Sequence, residues 1–180
     1  MPAPHPPDKH ALLPDILGRG LDVVFVGAAP SYRAAAIGHY YPGPHNRFWQ
    51  LLHQAGFTPR RLEPEEDHTV VAFGVGLTAI LPGEISTDNA LLPPASEEDV
   101  ALLRAKLERA APKVVCWNGK DVYRMFSGEP DCPWGLLEER LGTSLQYVVP
   151  SSSGRADRWG AERLALWREL RDLVNALRAE

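Results

Sequence analysis

The chain has 180 residues, 44% of them hydrophobic and 23% charged, an ordinary balance for one folded domain with a real core. Its formal net charge of -4 does not advertise nucleic-acid binding, nor does it exclude it, because a local patch outweighs the sum. Two cysteines, Cys116 and Cys132, cannot supply the four thiolates of an iron–sulfur cluster and show no metal-ligand spacing, and no apolar run approaches the about 20 residues of a membrane span.

Residues 1–12 hold four prolines and two histidines and read as a mobile tail, with His5 and His10 solvated rather than metal-binding. Residues 13–180 read as a single domain. Leu13 to Leu17 reads as a short helical turn, leading through Gly18-Arg19-Gly20 into a first strand, Val23-Val24-Phe25-Val26. That strand runs into Gly27-Ala28-Ala29-Pro30-Ser31. An aromatic loop stiffened by Pro42, Gly43 and Pro44 feeds a helix from Asn46 to Gly56, with Phe48, Leu51, Leu52 and Ala55 at helical spacing. Phe48 and Trp49 read as core side chains. Tyr41, between turn residues, reads as a ring available to a flat ligand. Val70 to Leu81 reads as a strand followed by a loop. Ser96 with Asp99 forms a capping box for a helix that stops near Ala111, before Pro112. Lys113 to Trp117 is a third strand, with Cys116 as a buried thiol. Asn118-Gly119-Lys120 turns into a helix from Asp121 to Phe126, and residues 127–135 form a loop that holds Cys132. Gln146 to Val149 is a fourth strand, ending in Pro150-Ser151-Ser152-Ser153-Gly154-Arg155. A last helix, Gly160 to Ala179, carries Leu164, Trp167, Leu170, Val174 and Leu177 on one face.

Strands alternating with helices predict a three-layer α/β/α fold around a central, mostly parallel, four-stranded sheet. In such a sheet, ligands bind at the edge where strand C-terminal ends meet. The loops after Val26 and after Val149 therefore face one pocket, although two ordinary strand-to-helix turns would read the same way. Small residues in both let backbone amides approach a ligand closely.

Taken together, Gly27 to Ser31, the aromatic loop into Asn46-Arg47-Phe48-Trp49, Gly74-Val75-Gly76-Leu77-Thr78, Asn118-Gly119-Lys120 and Pro150 to Gly154 resemble, in order and spacing, the mismatch-specific uracil-DNA and thymine-DNA glycosylases. The resemblance spans residues 13 to 178. It implies a monofunctional glycosylase of base-excision repair, a monomer without metal or cofactor. Such an enzyme flips uracil out of double-stranded DNA, as from a G·U mismatch, and cleaves the N-glycosidic bond with water. A cytoplasmic enzyme, nucleoid-associated in a bacterium, follows; the cysteine usage fits a reducing compartment.

By the same resemblance Tyr41 stacks on the flipped base, Ala28 and Ala29 supply base-facing backbone, and Asn46 faces the base or caps its helix. Ser151, Ser152, Ser153 and Gly154 suit the phosphate backbone, and Arg155 stands where the family inserts a wedge into the vacated stack. One departure matters. The family's first motif carries an Asn that positions the attacking water, and here that position is Ala29. A carboxylate is the expected replacement. Asp88 is the first candidate, in the polar turn with Ser86, Thr87 and Asn89, and capping that turn is its plainer role. Glu84 and His39 are weaker candidates. The same departure supports a second reading, a catalytically weak module that recognises damaged or mismatched DNA. A small-molecule-binding α/β protein unrelated to DNA is a third, disfavoured by the Arg155 position and the motif order.

Overall fold

The structure, a computed structural model, describes residues 11–86 and 88–180. The tail expected over residues 1–12, with His5 and His10, lies outside the described residues but for its last two; Thr87 lies outside them as well.

A five-stranded sheet forms the middle layer. Its strands are β1 (Val23–Gly27), β2 (Val75–Ala79), β3 (Val114–Asn118), β4 (Gly135–Leu136) and β5 (Leu145–Val149), in the spatial order β2-β1-β3-β5-β4. The first four neighbours run parallel, and β4 pairs antiparallel with β5. Among the described residues, five helices flank the sheet: α1 (Tyr32–Ile37), α2 (Phe48–Gln54), α3 (Glu97–Ala110), α4 (Lys120–Ser127) and α5 (Gly160–Arg178). Side chains alternate across a strand, so β1 feeds both layers. Val23 and Phe25 join the core under α2 and α5, with Trp167, Leu170 and Val174. Val24 and Val26 join the core under α3 and α4, with Leu103, Leu107, Trp117 and Val122. Phe25 centres an aromatic stack, 5.0 Å from Trp167 and 5.3 Å from Phe48 between ring centroids.

The expected architecture holds, with one strand more than expected. β4 is only two residues long and has no alternation to betray it in the sequence. Other differences have local causes. Leu13 to Leu17 is not a helical turn. It is an extended strap whose Ile16 exchanges two backbone hydrogen bonds with Leu77, at 2.9 and 2.8 Å, on the open edge of β2. The strap is also pinned where Leu12 N–H donates to Pro82 O (2.9 Å) and Tyr40 O–H to Pro14 O (3.0 Å). Val70 to Phe73 belong to a 3₁₀ segment, Pro64–Phe73, that ends at Gly74 with φ 77°, so the strand begins only at Val75. α1 was not expected; Ser31 Oγ accepts from Ala34 N–H at its start, and left-handed Gly38 closes it. α2 starts at Phe48 because Asn46 Oδ1 accepts the Phe48 N–H (3.0 Å).

Candidate active site and nucleic-acid interface

A cleft of about 1080 Å³ runs along the C-terminal edge of the parallel strands. Both small-residue loops line it, together with Tyr41, Asn46, Asn118 and Asp88. The first loop, Gly27 to Ser31, is locked from behind. Ile80 N–H donates to Gly27 O (3.0 Å) and Leu81 N–H to Ala28 O (2.8 Å). Ala29 lines the cleft half-buried and offers no polar side-chain atom there.

Tyr41 is the most constrained residue of the site. Its φ of 52° is left-handed, a conformation uncommon for a bulky side chain and costly unless the surroundings impose it. The constraint comes from the neighbouring residue. Tyr40 N–H donates to the buried Asp67 carboxylate (2.9 Å), and Trp49 Nε1–H donates to Tyr40 O (3.1 Å). His39 lies 3.2 Å from the other Asp67 oxygen and outside the cleft lining. The Tyr41 ring stacks on Phe48, centroids 4.3 Å apart at 21°. A column of rings thus runs from Trp167 and Phe25 in the core through Phe48 to the cleft. Burial pushes the Tyr41 phenol up to about 12, against the hydrogen bond from Asn118, so it stays neutral.

Asn118, at the end of β3, ties the two walls together. Its Nδ2 donates to Ser152 Oγ (3.0 Å) and Tyr41 Oη (3.3 Å), and its Oδ1 accepts Ser152 N–H (2.9 Å). The sequence marks this Asn only as a turn residue; its position at a strand terminus facing the second loop was the available signal.

The second loop is fastened from within. Ser152 is fully buried, and its carbonyl accepts Arg47 N–H (2.7 Å). Ser151 Oγ accepts Ser153 N–H (3.1 Å), and Ser153 Oγ accepts Arg155 N–H (3.2 Å). The buried Arg163 of α5 donates to the carbonyls of Ser151 (3.0 Å) and Ser153 (3.2 Å) and to the Asp157 carboxylate (3.1 Å). Arg163, and then Arg47, hold the Asp157 carboxyl below the usual range. A Cβ at Gly154 would stand 3.0 Å from His45 O, tighter than ordinary contact, so glycine eases the close approach of this loop to the aromatic one.

Asp88 and Arg155 meet at the mouth, Oδ2 to guanidinium 3.5 Å. Asp88 Oδ1 also accepts Ala90 N–H (3.0 Å) and so caps the 3₁₀ turn Asn89–Leu91. Ser86 N–H donates to Pro30 O (3.2 Å), which seats this turn beside the first loop. Asn46 spends its side-chain oxygen on the first N–H of α2, that of Phe48, while lining the cleft; the N-cap itself is Arg47. Glu84 is exposed and outside the lining. Phe48 and Trp49, 0% and 3% exposed, are core residues as expected.

Residues 14–172 match the uracil DNA glycosylase superfamily. The fold is similar to the solution NMR structure of a candidate uracil DNA glycosylase from Methanosarcina acetivorans. The two are 20% identical, the match covers 88% of this chain and 96% of that one, and the TM-score is 0.57. The chain belongs to the uracil DNA glycosylase superfamily, whose members are DNA glycosylases and hydrolases.

Proposed function

We propose that the protein is a monofunctional DNA glycosylase that extrudes uracil from duplex DNA, with the G·U mismatch as its natural context, and hydrolyses the bond between base and sugar. The observation that carries this reading is the convergence on one cleft of the first loop, the Tyr41 ring, Asn118 and the second loop, with Asp88 and Arg155 paired at the mouth.

The chemistry follows from what base release demands. A flipped base needs a face to stack on, and Tyr41 offers the ring. As the glycosidic bond breaks, its electron pair stays on the base, which leaves as an anion. Backbone amides of the first loop, brought close by Ala28 and Ala29, stabilise that charge. The sugar gains oxocarbenium character and takes a water oxygen at its anomeric carbon. Asp88 accepts the proton of that water and counters the positive charge, the work that Ala29 cannot do. Arg155 leaves Asp88 to fill the space vacated by the base. The protein acts as a monomer, and Ser151, Ser153 and Gly154 carry their wall of the cleft against the phosphate backbone.

Uracil release from G·U, A·U and single-stranded oligonucleotides tests this directly. Release fastest from G·U supports the proposal. Tight binding of mismatched DNA without release supports the second reading, a recognition module, which the apolar Ala29 favours.

A further inference from the structure

Beyond the second loop the cleft has a chemistry that the extrusion of one base does not use. Trp134 and Trp159 meet there edge to face, ring centroids 5.6 Å apart. Lys120 Nζ stands 4.5 Å from the centre of the Trp134 ring, and the Arg158 guanidinium 5.4 Å from that of Trp159. All four residues line the cleft.

Topology brings them together. β4 runs opposite to β5, with Gly135 beside Val148. The residue that precedes β4 therefore lies at the same edge as the C-terminal ends of the four parallel strands. Trp159 closes the 3₁₀ segment Gly154–Trp159, which carries Arg155, just before α5. One ring is thus held by the sheet and the other by the second loop.

Packing of two tryptophans against each other is the plain alternative. Three observations weigh against it. Trp49, Trp117 and Trp167 are 3%, 0% and 0% exposed, as core tryptophans should be, whereas Trp134 and Trp159 are only half-buried. Each of the two carries a cation against its ring, and ring plus cation is the combination that holds an unstacked base and its phosphate. Lys120 and Arg124 also share Asp131, at 3.5 and 3.6 Å, a 75%-exposed carboxylate that a phosphate group can replace. The volume agrees. A cleft of about 1080 Å³ lies just above the ~300–1,000 Å³ range that holds a drug-sized ligand, far more than one pyrimidine needs.

We propose that the Trp134–Trp159 wall, with Lys120 and Arg158, is a second nucleotide site that takes an unpaired base of the same DNA strand as the extruded one. The proposal rests on the glycosylase reading above for the identity of the strand. It makes the cleft a track for a short single-stranded stretch rather than a socket for one base.

Tryptophan emission reads this site, because the other three of the chain's five tryptophans are buried. Uracil-free oligothymidylates of increasing length are titrated into the full chain, and uracil release from a uracil-containing strand is measured alongside. The expected result is quenching that is weak with thymidine monophosphate and tightens as the strand lengthens. Trp134→Leu and Trp159→Leu should each weaken oligomer binding by about 5- to 150-fold, and Trp134→Phe should restore most of it. Lys120→Ala should lower the salt slope by about 0.7, one phosphate's worth on a single strand. Circular dichroism of each variant separates lost binding from lost folding. Unchanged oligomer affinity in a folded Trp134→Leu protein overturns the proposal, as does mononucleotide binding as tight as that of the longest oligomer. Uracil release without tryptophan-dependent quenching removes the second site alone. Quenching without release removes the glycosylase reading alone.

Discussion

Replacing Gly27 by alanine measures how tightly the cleft holds its stacking ring. A Cβ at that position would stand 3.0 Å from Tyr41 Oη and 3.9 Å from Thr78 O. The first distance is inside ordinary contact, about 3.5–4.0 Å between carbon atoms at their optimum. The phenol has little room to retreat. One face of its ring lies on Phe48 at 4.3 Å, Phe48 is fully buried, and Phe48 in turn meets Phe25 at 5.3 Å. The bond from Asn118 to Oη, at 3.3 Å, is already long and would break if the oxygen moved away. Overpacking costs about 1–3 kcal/mol, and a lost hydrogen bond about 0.5–1.5 kcal/mol. Gly27→Ala should therefore lower the urea-unfolding free energy by about 1–3 kcal/mol. In a Tyr41→Phe background the offending oxygen is gone, and most of that cost should vanish. The double-mutant cycle should give a coupling of about 1–2 kcal/mol, within the range measured for touching residues. Single-turnover uracil release at limiting DNA should follow the same pattern, reduced in Gly27→Ala and largely recovered in the double variant. A coupling below about 0.5 kcal/mol would refute the reasoning, because it is the value for sites that do not touch.

Asp88→Ala should lower single-turnover base release by at least about tenfold while leaving DNA affinity nearly intact, since general-base help is worth about 100- to 10,000-fold; unchanged release defeats the assignment. Its ion pair with Arg155 is exposed, 30% on one side and 67% on the other, so losing it should cost no more than about 1 kcal/mol of stability. Arg155→Ala should slow release from duplex DNA more than from single strands, because only a duplex has a vacancy to fill; equal losses on both would reduce Arg155 to a phosphate contact. Far from the cleft, burial raises the Asp22 carboxyl, but Arg178 and Lys113 outweigh it and hold it below the ordinary 3.8. A carboxyl depressed in the folded state adds stability above its unfolded value and loses it as the pH falls through the folded one. The denaturation midpoint of the wild type should thus fall more steeply below about pH 4 than that of Asp22→Asn, and parallel curves would show the pair to be idle.

What was legible in the sequence came from short-range signals. The β1 run and the loop after it, the α2 pattern, the Ser96/Asp99 capping box and the apolar face of α5 all declare themselves within a few residues. The two loops on one cleft followed from strand polarity alone. Residues whose importance depends on distant partners stayed hidden. Asn118 is an ordinary turn residue until the fold sets it between Tyr41 and Ser152. Arg163 lies among exposed-looking charges of α5, yet it is 6% exposed and holds the second loop by its carbonyls. β4 is too short to show a period, and with it went Trp134. The extra polarity of Asp88 was visible, but its contact with Arg155 joins two turns far apart in the chain.

The strap ahead of β1 has a consequence for the molecule in crowded solution. β2 ends the sheet on one side, and an end strand of five buried residues offers bare amides and carbonyls to any extended chain that drifts past. Ile16 takes up both groups of Leu77, and Gly76 permits the approach, because a side chain there would run into Ile16 O at 2.9 Å. The strap occupies the place a neighbouring molecule's strand would otherwise take. Trimming the chain past Ile16 would take Leu13 from the cleft lining and the Pro14 carbonyl from Tyr40, and would unmask a sticky border along which the shortened protein self-associates edge to edge.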